Sequence, residues 1–258
     1  MAATVCFIAL APGAHVTPAE IFERHAMMWP GAPPLTDLET GDNVAKFKIG
    51  TAIGFIVKMN MRIPPGDLEE PCKASFIWPT ASQDLLAHDS HFVASVTECG
   101  ARLAAATALT RLVAAILAAC PGAIGVYDGD AGLVAPSKLY IESAAKLQGK
   151  SYPLLVWMSV RLARSGAEGA CGYTLGLESL GLCEIEVPAS KLNANELAAK
   201  LYDLALYLLT SGARIKEGDT VGQSATERVK VSYGRSSFGH SGRVMKLQFE
   251  KKGLFGYR

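Results

Sequence analysis

The sequence predicts an α+β protein made of two helix-backed, mostly antiparallel sheets. Segments with period-two alternation, such as Val44 to Ile49 and Arg243 to Phe249, are interleaved with capped helical segments. Short Gly-containing turns join several strands in pairs, the mark of hairpins. Each half of the chain holds enough strands and helices for one helix-backed sheet. The leading architecture is a tandem of ferredoxin-like halves, residues 1–120 and 121–258, packed closely enough to count as one domain. One continuous sheet across both halves is the alternative.

The elements follow in order. Val5 to Ala11 reads as a first strand. Thr17-Pro18-Ala19-Glu20 supplies a cap, a proline for the first helical position and a capping-box glutamate, so a helix is expected to about Trp29. Pro30, Gly31, Pro33 and Pro34 stop it and lead into a loop up to Asn43. A hairpin is expected from Val44–Ile49 and Ala52–Met61 around Gly50-Thr51. Asp67, Glu69 and Glu70 suggest a short capped helix before Trp78-Pro79, and Ser82 to His88 one more turn; His91 to Thr97 returns to strand. An Ala-rich helix from about Ala101 to Ala119 ends at Cys120-Pro121-Gly122, with Gly122 as its left-handed cap. Ala123 to Tyr127 is a short strand closed by the Asp128-Gly129-Asp130 turn, and Pro136-Ser137 open a helix to about Leu147. The apolar run Leu154 to Leu162 reads as a central strand, followed by Tyr173–Leu177 and Cys183–Val187. Asn193 with Glu196 caps a helix to about Leu209, Val229–Tyr233 and Arg243–Phe249 form a closing hairpin, and a tail begins at Lys251.

Composition narrows the function classes. Lys and Arg total 25 against 24 Asp and Glu, so no net field draws nucleic acid or anionic lipid from a distance. The six cysteines are scattered without a Cys-x-x-Cys pair and read as buried free thiols of a reducing compartment. The apolar start lacks a basic n-region and is short for a secretion signal, which leaves the cytoplasm as the expected location. Leu103 to Cys120 has the length of a marginal membrane span, but Arg111 interrupts it, so a buried helix is expected and no membrane.

Three stretches carry a family resemblance: Pro121-Gly-Ala-Ile-Gly-Val-Tyr-Asp-Gly-Asp-Ala-Gly-Leu-Val134, Leu154-Leu-Val-Trp-Met-Ser-Val-Arg-Leu162 and Tyr173-Thr-Leu-Gly-Leu-Glu-Ser-Leu-Gly-Leu-Cys-Glu-Ile-Glu-Val187. Together they resemble the uncharacterised bacterial family DUF4261, best over residues 121–187. The resemblance implies a bacterial cytoplasmic protein and brings no established catalytic residue, cofactor or substrate. Uncharacterised bacterial domains of this size are often immunity or accessory proteins of secreted toxins, an analogy at the level of class.

Several residue groups are chemical candidates, each with a plain structural alternative. Asp128 and Asp130, with Tyr127, follow a short strand and could serve metal-assisted or acid–base hydrolysis; the alternative is a tight turn. His88 and His91, with Asp84, are the densest group of metal-ligand types, yet no third ligand is in view and no metal or other cofactor is expected. Arg235, His240 and Arg243 lie in a Gly- and Ser-rich loop with the donors to hold an anion or nucleotide, but no helix follows and the P-loop pattern is missing. Cys99 sits at a helix start, where His88 or His91 could act as its base; packing is the simpler account. Trp29, Trp78 and Met27-Met28 sit at element ends and could meet a partner. With no coherent catalytic set, the expected function is non-catalytic binding of another protein, of immunity or accessory type, with homo-oligomerisation left open. Hydrolysis through Asp128 and Asp130 is the alternative, and anion sensing by the 234–243 loop is third.

Overall fold

β1 (Thr4–Leu10) is an interior strand of the first sheet, hydrogen-bonded along both edges, and the helices of that unit cover the sheet's two faces. The computed structural model describes residues 4–97, 99–149, 151–166, 169–222 and 228–249. Contacts divide them into two units, 1–159 with 179–181 and 160–178 with 182–258. The tail expected from Lys251 lies outside the described residues.

In the first unit β1 leads to α1 (Pro18–Met28), whose start carries the expected chemistry: Thr17 Oγ1 accepts from the Glu20 N–H and Glu20 accepts from the Thr17 N–H. β2 (Leu35–Gly41), β3 (Val44–Ile49), β4 (Ala52–Met59) and β5 (Ser90–Thr97) follow, with α2 (Pro65–Lys73), α3 (Ala81–Asp84) and a 3₁₀ turn at Leu85–Ala87 between the last two strands. α4 (Arg102–Ala119), β6 (Ala123–Asp128), β7 (Leu133–Pro136) and α5 (Ser137–Ala144) complete it. The strands lie in the order β2-β3-β4-β5-β1-β6-β7, and the paired neighbours are antiparallel. Within that sheet β1, α1, β4, β5, α4 and β6 follow a β-α-β-β-α-β course.

Alternation along β1 sends Cys6, Ile8 and Leu10 to one face and Phe7 and Ala9 to the other. α1 and α4 pack together on the first face. On the second, Ala9 and Val134 join Ile63, Leu68, Cys72, Trp78, Ala81 and Leu85 in a core beneath α2 and α3. α4 is long and apolar enough to cross a membrane, and over half of its span is buried within the protein. Its alanines let α1 and the sheet come close, so its hydrophobicity belongs to the core.

The second unit contains β8 (Ser159–Ser165), β9 (Gly169–Leu175), β10 (Ile185–Val187), α6 (Ala194–Ser211), β11 (Thr220–Val221), β12 (Val229–Arg235) and β13 (Arg243–Phe249). Its sheet runs β11-β12-β13-β10-β9-β8. β10 and β13 are parallel, which requires the long crossover that α6 supplies. The Asn193–Glu196 capping box starts α6, and Leu197, Leu201, Ala205 and Leu208 form its buried stripe. This order differs from that of the first unit, so the halves are not structural copies.

Several expectations change for identifiable reasons. β6 and β7 hydrogen-bond into the first sheet, so the first unit continues past residue 120. The segment after Pro34, expected as loop, forms edge strand β2, where only Leu35 is buried and no alternation marks it. Leu154 to Leu162 is not a central strand: Leu154–Val156 make a 3₁₀ turn after Pro153, and β8 begins at Ser159 on the sheet edge. Asp67 makes no cap for α2, which starts with Pro65 in its first turn. Gly122 is not a left-handed cap. A Cβ there would stand 2.5 Å from the Ala14 Cβ, beside the bond from the Ala11 N–H to the Gly122 carbonyl. Four cysteines are buried as expected of packed thiols, whereas Cys99 is partly exposed and Cys183 exposed.

Trp78 lies against the second face of β6 at Gly125, where a Cβ would meet the indole at 2.5 Å and the Ala135 carbonyl at 2.6 Å. Gly125→Ala is expected to destabilise the protein by about 1–3 kcal/mol, as overpacking does. Urea denaturation followed by tryptophan fluorescence checks this; an unchanged midpoint would show that the ring is free to move.

Candidate functional site

Asp128 ends β6, opposite Cys6 in the continuing β1–β6 register. Its Oδ1 accepts from the Ala131 N–H at 3.0 Å, closing the turn, and the Cys6 thiol donates to Oδ2 at 3.7 Å. Removal from water pushes the Asp128 carboxyl up to about 6, with Asp130 adding to the rise. Burial also raises the Cys6 thiol and the Tyr140 phenol beside it, so both stay protonated. Asp130 is exposed. Neither carboxylate lines the cavities described below. Tyr127 points to the opposite face, its ring 5.6 Å from that of Phe7.

The histidines brace backbone. His88 is buried; its Nε2 accepts from the Ile63 N–H at 2.9 Å, and its Nδ1 donates to the Leu85 carbonyl. Both ring nitrogens are thereby engaged. His91 donates from Nδ1 to the Met61 carbonyl at 2.8 Å. Asp84 accepts from the Trp78 indole and the Thr80 hydroxyl, each at 2.6 Å, and these bonds hold its carboxyl below the usual range. Among the described residues no three His, Cys, Asp or Glu side chains gather as a metal site. Cys99 lies past the opposite end of β5 from His91, so neither His88 nor His91 is its base; burial raises its thiol.

The 234–243 loop turns its serine donors inward. Glu186, fully buried on β10, accepts from the Ser236 hydroxyl and, at 2.9 Å, from the Ser237 N–H. Phe238 stacks on Tyr173 at 5.0 Å. His240 Nε2 sits 3.1 Å from a Glu178 carboxylate oxygen, and Arg243 is 3.8 Å from Glu217 with its guanidinium 5.3 Å from the Tyr233 ring centre. Arg235 is exposed. Sequence reasoning missed Glu184 and Glu186. The signal was a pair of acids inside the short apolar strand Cys183–Val187. Glu184 gathers the Thr174 hydroxyl and the Gly176 and Glu178 N–H groups at 2.6–3.1 Å.

Two surface features remain. Ile63, Pro65, Leu68, Leu85 and Leu86 line a depression of about 210 Å³ on the α2–α3 layer. Met61, Phe76 and Leu86, all on segments of this layer, are more than half exposed. Trp29 and Trp78, expected at a partner surface, are instead buried because each indole N–H finds an internal acceptor; Met27 is exposed. On the α1–α4 side, a cavity of about 560 Å³ is bordered by His25 and Arg111.

These features belong to an α+β protein with two mostly antiparallel, helix-backed sheets. Its residues 173–248 match the family model described as a domain of unknown function, DUF4261. The match overlaps the resemblance seen in the sequence over 173–187 and takes in Glu184, Glu186 and the 234–243 loop. No curated protein matches the chain, and no solved structure does.

Because the folded pKa of Asp128 stands above its ordinary value, the neutral carboxyl favours the fold. That contribution is complete below about pH 4 and is lost as pH rises through 6. Asp128→Asn keeps the acceptor for Ala131. It is expected to flatten stability over this window and to raise it near pH 7 by up to about 3 kcal/mol. Urea midpoints at pH 4, 6 and 8 check this, and a variant parallel to wild type would refute the assignment.

Proposed function

We propose that this is a non-catalytic binding protein that recognises another protein through the α2–α3 face of its first unit. The observation that carries the reading is the set of exposed apolar side chains Met61, Phe76 and Leu86 on the layer around the Ile63, Leu68 and Leu85 depression. Burying a side chain of this size recovers roughly 1.5–3 kcal/mol. The depression has room for one large aliphatic or aromatic side chain, and pockets of this kind receive the anchor residues of interfaces. Arg62, Glu69 and Lys73 give its rim both signs of charge, which suits a folded protein better than a polyanion or an anionic membrane.

The histidine contacts support the same reading. Through His88 and His91 the carbonyl of Met61, the N–H of Ile63 and the carbonyl of Leu85 are fixed, so the face is held before a partner arrives. The β-α-β-β-α-β course of the first unit favours a ferredoxin-like description of that half. The family resemblance favours a bacterial, cytoplasmic protein of immunity or accessory type.

Tagged protein expressed in its native host is expected to recover a stoichiometric protein partner. The double variant Phe76→Asp, Leu86→Asp is expected to bind that partner at least about tenfold more weakly with little change in its own thermal midpoint. Undiminished capture by the folded double variant would overturn the assignment of the face. Light scattering of the purified protein separates a second copy of the chain from a different partner.

A further inference from the structure

We propose that the cavity between α1, the β3–β4 turn and α4 binds a small organic monoanion, a carboxylate on an apolar body, with Arg111 as its charge partner. The polar groups lining it are His25, Thr51, Cys99, Thr107, Arg111 and Tyr152; the remainder is largely aliphatic, and no Asp or Glu lines it. Its volume of about 560 Å³ falls in the range of small-molecule sites.

Arg111 enters this space from the middle of an apolar helix. Its Nε is buried without a hydrogen-bond partner, and among the described residues no carboxylate pairs with it. The guanidinium stands 5.8 Å from the Trp29 ring centre, so an aromatic face supports the cation without neutralising it. Arg111 is partly exposed and lines the cavity, so a carboxylate entering there can match its planar fork with two parallel hydrogen bonds.

His25 supplies the second polar contact. It is 2% exposed, borders the cavity, and among the described residues its ring makes no hydrogen bond. Burial, and then the Arg111 charge, hold its pKa down at about 4, so at neutral pH the imidazole is neutral and offers one donor and one acceptor. With a single full cation among neutral polar and aliphatic lining residues, the site suits one negative charge rather than a phosphate dianion. The cavity stands on the α1–α4 side of the sheet and is independent of the α2–α3 face.

Isothermal titration calorimetry with hexanoate and benzoate tests this, with hexanol and inorganic phosphate for comparison. The carboxylates are expected to bind one to one, with hexanol and phosphate at least about tenfold weaker. Arg111→Gln is expected to lower carboxylate affinity at least about tenfold. Ala104→Trp, at an exposed lining position, is expected to obstruct the cavity while leaving Arg111 in place, which keeps the test decisive should the arginine variant fail to fold. No saturable carboxylate binding, binding unchanged in either folded variant, or phosphate binding as tight as hexanoate would overturn the proposal.

Discussion

A polar group taken out of water must find its hydrogen bonds inside the protein, and the loops of both units are built on that constraint. Asp128 closes the β6–β7 turn through the Ala131 N–H. Glu184 draws the end of β9 and the residues after it around one carboxylate, and Glu186 fastens the tip of the β12–β13 hairpin to β10. His88 ties the approach to α2 to the turn after α3. Leaving any one of these groups unmet would cost about 1–3 kcal/mol, and more where the group is charged. The protein therefore uses chemically versatile side chains as fasteners.

This use explains why the chemistry written in the sequence is a poor guide to the site. Asp128, His88 and the 234–243 loop all have residue types that serve catalysis or anion binding. For His88 and the loop, what decides the role is a partner remote in sequence: Ile63 for His88, and Glu186 for Ser236 and Ser237. In the loop, a carboxylate already present takes the Ser236 hydroxyl and the Ser237 N–H. The turn alternative for Asp128-Gly129-Asp130 was legible because its bond spans three residues. The role of Glu186 was not, because its partners lie some fifty residues away.

The fold follows the same division between local and distant causes. Both capping boxes, the β3–β4 hairpin and the β12–β13 hairpin are encoded within a few residues and could be read directly. β2 could not. It is an edge strand with a bulge between Thr36 and Glu39, and Asp37 and Glu39 pair across the strands with Lys48 and Lys46. Charge and irregularity of this kind protect an edge from further pairing, at the loss of the alternation that would announce a strand. Leu154 to Leu162 shows the converse: hydrophobicity reports burial, and a buried segment can be a 3₁₀ turn as well as a strand.

α4 joins these arguments. Its alanine surface fits closely against neighbours but offers little to fix where along the helix they sit, since successive small side chains present nearly equivalent contacts. Thr110 and Arg111 remove that ambiguity. The Trp157 indole donates to the Thr110 hydroxyl at 2.7 Å, and the Trp29 indole donates to the Arg111 carbonyl at 3.2 Å. Two large side chains, one following α1 and one preceding β8, are thus registered on adjacent residues of a single turn. The backbone acceptor at residue 111 would serve with any side chain. The guanidinium is therefore not required by the Trp29 hydrogen bond. Its Nε is nonetheless buried without a hydrogen-bond partner beside the cavity, a cost that packing alone does not offset. Arg111 and the buried His25 imidazole, unbonded among the described residues, thus have no evident use if the protein acts only as a scaffold, and both have a direct physical use if the cavity receives an anion.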